Sequence, residues 1–144
     1  MSYTTMAKLS FVKQVRLFYN TDIFFSPHGS ALVNLMFARP HSVVIECNPP
    51  YFYEIWYSNT ALISRLHHIM LATYKRDLKE DWKWKRAEEA YFEGRIGRIR
   101  RQYADNNVNP PVFVVKSAVE DAIAYLKRWR FVFEVSDKWS PLFF

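Results

Sequence analysis

Asp22-Ile-Phe-Phe-Ser-Pro-His-Gly-Ser-Ala-Leu-Val-Asn34 is the stretch whose reading decides the fold of this chain. Ile23-Phe24-Phe25 is an apolar run of the length of a buried strand. The run breaks at Pro27-His28-Gly29, and the pattern from Ser30 to about Ala38 predicts a helix. A strand that passes through a small-residue turn into a helix is how α/β proteins build anion sites. The N–H groups of the first helical turn and the positive end of the helix dipole face the ligand there. Gly29 and Ser30 let a phosphate approach the backbone closely. The same residues also suit an ordinary strand-to-helix turn, so spacing alone leaves both readings open.

Working outward, Met6, Leu9, Val12, Val15 and Phe18 recur every three or four residues, which predicts an amphipathic helix over Thr4–Tyr19. After the turn, the helix from Ser30 must stop before Arg39-Pro40, because a residue preceding proline is pushed out of the helical region. Ser42-Val-Val-Ile-Glu-Cys47 is continuous and β-branched, the pattern of a strand in a parallel sheet covered on both faces. Asn48-Pro49-Pro50 ends it. Phe52 to about Arg65 predicts a helix burying Ile55, Trp56, Leu62, Ile63 and Leu66, and His67 to Thr73 a third strand. Helix, strand, helix, strand, helix, strand is the rhythm of a doubly wound α/β sheet.

The second half changes character. Lys75 to Arg101 holds ten Lys or Arg and six Asp or Glu, interleaved with Trp82, Trp84, Tyr91 and Phe92. A solvated helix from about Lys79 to Tyr103 accounts for mixed charges three and four residues apart. Asp105 to Pro111 is a loop, and Val112–Val115 has the composition of a short strand. Ser117-Ala-Val-Glu120 is a capping box opening a helix to about Arg130. Phe131 to Phe144 is an aromatic tail without a sharp period.

Composition narrows the field. At 144 residues the chain has the size of one domain, 1–144, with no internal repeat. Half of it is hydrophobic and 18% aromatic, which excludes a disordered chain. No apolar run approaches the ~18 residues of a membrane span, and Met1 to Leu9 carries no secretory signal pattern. The single Cys47 excludes an internal disulfide framework and a cysteine-based zinc site. A net charge of +6 favours anionic partners without choosing among nucleotides, nucleic acid and membrane surfaces.

Two constellations carry candidate chemistry. Glu46 closes the second strand 17 residues beyond Gly29. Ligands of open α/β sheets bind outside the carboxyl ends of strands, where such an acid commonly meets ribose hydroxyls. Arg39, a helix N-terminus or water are its bland partners. His28 at the turn has the chemistry to donate to a phosphate or to act as an acid or base; its bland role is to bond a neighbouring carbonyl. His67 and His68 point to opposite strand faces and so cannot serve one metal as a pair. Tyr51, Phe52, Tyr53, Trp56 and Tyr57 suit stacking on a base or sugar and suit packing equally. No phosphate-binding Gly-Lys-Ser/Thr loop and no Gly-x-Ser-x-Gly nucleophile turn occurs.

Together these residues resemble the carboxyl-terminal part of glycosyltransferase family 61. The family pattern runs from an Asp-bearing strand into His-Gly-Ala-Gly-Leu-Thr-Asn, then a Leu-Phe, a Pro and a strand ending in Glu. Here the matching residues are Asp22, His28-Gly29-Ser30-Ala31-Leu32-Val33-Asn34, Met36-Phe37, Pro40 and Val43-Val44-Ile45-Glu46. The likeness spans roughly residues 6 to 75. Two positions depart: Ala31 stands for the second glycine and Val33 for the threonine.

The resemblance implies a Rossmann-like half of a GT-B fold, a partial parallel sheet flanked by helices with extra carboxyl-terminal helices. In that view the amino-terminal lobe is absent from the chain, which alone is inactive. It further implies metal-independent, inverting transfer from a UDP-sugar to a glycan or protein acceptor, with no cofactor, in the Golgi or endoplasmic reticulum lumen. His28, Gly29, Ser30 and Ala31 would line the diphosphate, Asn34 would lie nearby, and Glu46 would face the ribose. Two other readings stay open: a non-catalytic nucleotide- or anion-binding module of the same fold, and a nucleic-acid binder using Lys75–Arg101.

Overall fold

The protein is described by a computed structural model covering residues 6–49, 55–72 and 108–139. The expected helix at Lys79–Tyr103, the basic aromatic segment Lys75–Arg101 and the aromatics Tyr51, Phe52 and Tyr53 lie outside the described residues.

Three strands form one parallel sheet in the order β1 (Ile23–Pro27), β2 (Val43–Asn48) and β3 (His67–Ala72). The pairing aligns Phe24 with Val44 and Ser26 with Glu46 on one side of β2, and Val44 with His68 and Glu46 with Met70 on the other. All six residues of β2 are buried, as its unbroken apolar sequence requires of a central strand covered on both faces. A mixed α/β fold with a small parallel sheet and flanking helices is therefore what the sequence builds.

Alternation along β2 sends its side chains to opposite faces. On one face, Phe24 and Val44 pack with Phe18 of α1 (Phe11–Tyr19), with Leu32, Leu35 and Ala38, and with Tyr57 and Ala61 of α2 (Trp56–Ile63). On the other, Val43, Ile45, Cys47 and Leu71 pack against Ala118 and Ala122 of α3 (Val112–Trp139). Two alanines at i and i+4 let the long α3 helix lie close on the sheet.

Several local expectations are revised. The helix predicted over Thr4–Tyr19 is two pieces, a 3₁₀ turn at Met6–Lys8 and then α1. The Gln14 amide donates to the carbonyls of Met6 and Leu9 at 3.3 and 3.0 Å, so the break leaves those groups partnered. The helix after the turn is 3₁₀ rather than α, Ser30–Phe37. Its buried residues Leu32 and Leu35, followed by buried Ala38, recur every three positions. A helix of three residues per turn keeps such a row on one face.

The expected buried face of α2 is also corrected. Ile55, Trp56, Leu62 and Ile63 are exposed, Ile63 at 84%, whereas Leu66 is buried as expected, together with Tyr57 and Ala61. Small Ala61 turns toward the sheet and fixes the helix phase, so the larger aliphatics fall outward. Val112–Val115 is not a strand but the first turn of α3. The Pro111 carbonyl accepts from Val114 and Val115 N–H at 3.0 and 3.2 Å, which begins the helix directly after proline. Ser117 and Glu120 thus fall inside α3 instead of capping it, and the helix runs on through part of the expected aromatic tail to Trp139.

Candidate functional site

Phe24, Ser26 and His28 share a parity along β1 and its extension, as do Val44 and Glu46 on β2 and His68 and Met70 on β3. The ladder continues past β1, because the His28 N–H donates to the Cys47 carbonyl at 2.8 Å. Three neighbouring chain segments therefore set His28, Glu46 and His68 in a diagonal row on one face of the sheet.

The row is hydrogen-bonded throughout. Glu46 Oε1 lies 2.5 Å from His28 Nδ1, and Oε2 lies 2.7 Å from His68 Nε2. His68 Nδ1 lies 3.2 Å from the hydroxyl of Ser58 on α2. The Tyr57 ring packs against His28 with centroids 4.9 Å apart. Glu46 is fully buried at 0% exposure, while the His28 and His68 side chains keep 12% and 13%.

A carboxylate this deep needs strong partners. Burial pushes the Glu46 carboxyl up, but the hydrogen bonds and electrostatic pull of His28 and His68 together outweigh it and hold the group below its ordinary value. The carboxylate accepts only, so each imidazole nitrogen facing it carries a proton. Those protons stand where a metal ion would need lone pairs. Among the described residues no group of three His, Cys, Asp or Glu is placed to hold a metal.

The sequence candidates divide. His28 and Glu46 meet directly. Gly29 and Ser30 follow at the turn; Gly29 is extended at φ 166, and an added Cβ would find no atom within 4 Å. The chain itself therefore does not demand glycine there. Asn34 donates to Gln14 Oε1 at 2.9 Å and ties the 3₁₀ helix to α1. Both Glu46 oxygens are held by imidazoles, whereas a ribose-facing role would need an oxygen directed outward. The bland partner Arg39 instead pairs with Asp22 at 2.7 Å on the surface, a contact worth about 0–1 kcal/mol.

Sequence reasoning missed His68 and Ser58. The alternation of strand side chains sets His67 and His68 on opposite faces, as observed, but which of the two shares a face with Glu46 depends on the β2–β3 register. In a parallel pair, diagonal neighbours two residues apart on one face are within reach of long side chains. His68, opposite Val44, is that neighbour of Glu46.

His67 turns the other way and stacks on Tyr125 of α3 at 4.2 Å. Burial first, then His68 and Arg128, hold its imidazole below the ordinary value, with Asp121 opposing. His67, Asp121, Tyr125, Arg128 and Trp129 border an open cleft of about 610 Å³ on that face. Cys47 is buried there too, and burial with the nearby Glu46 charge pushes its thiol up to about 11. No helix among the described residues is long and apolar enough to cross a membrane.

The family model Glycosyltransferase 61 matches residues 2–45. No curated protein and no solved structure gives a significant match. The matched segment contains α1, β1, the His28-Gly29-Ser30 turn, the 3₁₀ helix and the start of β2, and it stops one residue before Glu46. Residues 2–45 of this chain carry the glycosyltransferase 61 pattern, and the match supports a glycosyltransferase-type function.

Proposed function

We propose that this chain is the donor-binding portion of an inverting glycosyltransferase of GT-B type that uses a UDP-sugar and acts on a glycan or protein acceptor. The observation that carries the reading is the His28–Glu46 hydrogen bond. It joins the turn inside the family-matched segment to a carboxylate on the adjacent parallel strand, at the end of the sheet where α/β proteins bind nucleotides. His28, Gly29, Ser30 and Ala31 then form the wall facing the diphosphate, with Asn34 behind them and Glu46 acting from beneath through His28.

A pyrophosphate needs N–H donors and positive potential, and needs no metal where the protein supplies them. The net charge of +6 is favourable to that end. Departure of the nucleoside diphosphate is the step such a wall assists, by stabilising the charge that develops on the leaving oxygen. A base for the acceptor hydroxyl is assigned to none of the described residues. Such an enzyme would work in the Golgi or endoplasmic reticulum lumen, a reading that the family match supports only as far as the secretory pathway.

Calorimetric titration of the chain with UDP and UDP-sugars, beside single-stranded RNA at two salt concentrations, tests the reading. Saturable UDP binding that weakens in His28→Ala is expected. RNA binding that falls steeply with salt, with no response to UDP, would overturn it in favour of a nucleic-acid-binding module.

A further inference from the structure

We propose that His68 and Ser58 are positioning residues of the same site, holding the Glu46 carboxylate and through it the His28 ring. The proposal rests on the donor-site reading for its purpose, but its geometry stands apart from it. The terminal torsion of a glutamate is broad and roughly two-fold, so one hydrogen bond does not fix the plane of its carboxylate. His28 alone would hold only Oε1. His68 Nε2 at 2.7 Å from Oε2 supplies the second point and sets that plane. Glu46 has 0% exposure, so water does not compete for either oxygen.

Proton placement follows along the row. His68 carries its proton on Nε2, toward the carboxylate, and its Nδ1 is then an acceptor. The Ser58 hydroxyl, 3.2 Å away, donates to it and discourages the ring from flipping. At that length the Ser58 bond is the weaker link. His28 carries its proton on Nδ1. His28, Glu46, His68 and Ser58 therefore form one relay that ties the β1 turn through β2 and β3 to α2. Glu46 from β2 and Tyr57 from α2 face His28, and His68 from β3 acts on it through Glu46.

Long-range ¹⁵N–¹H correlation spectra of the labelled full chain report imidazole tautomers directly. The Nδ1–H form of His28 and the Nε2–H form of His68 are expected. His68→Gln keeps an N–H donor for Oε2, whereas His68→Leu removes it at similar size. His68→Leu is expected to shift the His28 ring signals and weaken UDP binding about 10-fold or more, and His68→Gln to restore most of both. Unchanged His28 signals and an unchanged UDP Kd in a folded His68→Leu chain would overturn the proposal. If His68→Leu does not fold, Ser58→Ala at a half-buried position decides. With the Nε2–H form kept by Glu46, shifted His68 and His28 ring signals in Ser58→Ala support the relay, and ring signals of both histidines unchanged from the wild type refute it. A wild-type chain that ignores UDP would overturn the donor reading, and the ring signals would then decide the relay by themselves.

Discussion

Replacing Glu46 by leucine removes the group on which the candidate site converges. Leucine is close in size, so the sheet packing survives, but two imidazole N–H donors lose their acceptor at once. A buried donor left without a partner costs about 1–3 kcal/mol, so the two together cost roughly 2–6 kcal/mol. Relief from burying a charge offsets part of this and brings the expected loss to about 2–4 kcal/mol. Glu46→Gln behaves differently. Its amide oxygen keeps one imidazole, and its NH₂ donates to the other, whose proton must move. His68 can make that change because Ser58 Oγ accepts from a protonated Nδ1 as readily as it donates to a bare one. The expected cost of glutamine is about 1 kcal/mol. Urea unfolding followed by circular dichroism separates the two variants. Leucine and glutamine variants both within 0.5 kcal/mol of the wild type, a bound expected only of surface changes, would refute the claim that Glu46 is held by two imidazole donors.

Other outcomes follow from the same structure. Because the Glu46 carboxyl is held below its ordinary value, its contribution to stability is fully present above about pH 4.3 and is lost as pH falls through the lower folded-state value; acid unfolding of Glu46→Gln should be shallower than that of the wild type over that window. Gly29→Ala should leave the melting temperature unchanged, since nothing in the chain crowds an added Cβ, yet weaken UDP binding in calorimetry if phosphate packs on that backbone. Cys47 is buried with its thiol pushed up to about 11, so Ellman's reagent at pH 8 should label it only after urea is added, and rapid labelling of the native chain would contradict its placement. Ala122→Leu should cost about 1–3 kcal/mol by overpacking the sheet against α3, while Phe113→Ser, exposed on the same helix, should change stability by less than about 0.5 kcal/mol.

The strands were legible because their composition leaves little choice. Val43-Val44-Ile45 is a continuous β-branched run, and only a central strand buries all of it. Helix phase was less legible. In α2 the eye follows Leu62 and Ile63, but close packing on a sheet favours small Ala61, and the preference for burying large residues gave way to fit. The β-branched run after Pro111 looked like a strand because local propensity is weak beside tertiary packing. Val114, Val115 and Val119 face the cluster beneath α3, and that burial settles them as helix.

The site was half legible for a similar reason. His28 and Glu46 were each singled out from the strand-turn-helix pattern as groups near one ligand, though not as each other's partner. His68 needed a register, and register is set by the parallel pairing of β2 with β3, which no local pattern states. Ser58 needed the phase of α2, which the apolar pattern gave wrongly.

The most direct test of the account is UDP binding to the full chain, measured by calorimetry on the wild type and on His28→Ala. The account predicts a saturable site with a Kd of about 1 mM or tighter, and a loss of at least tenfold in the variant. No heat of binding at several millimolar UDP, or equal binding by both chains, would contradict the assignment of the His28–Glu46 turn as a nucleotide-sugar site.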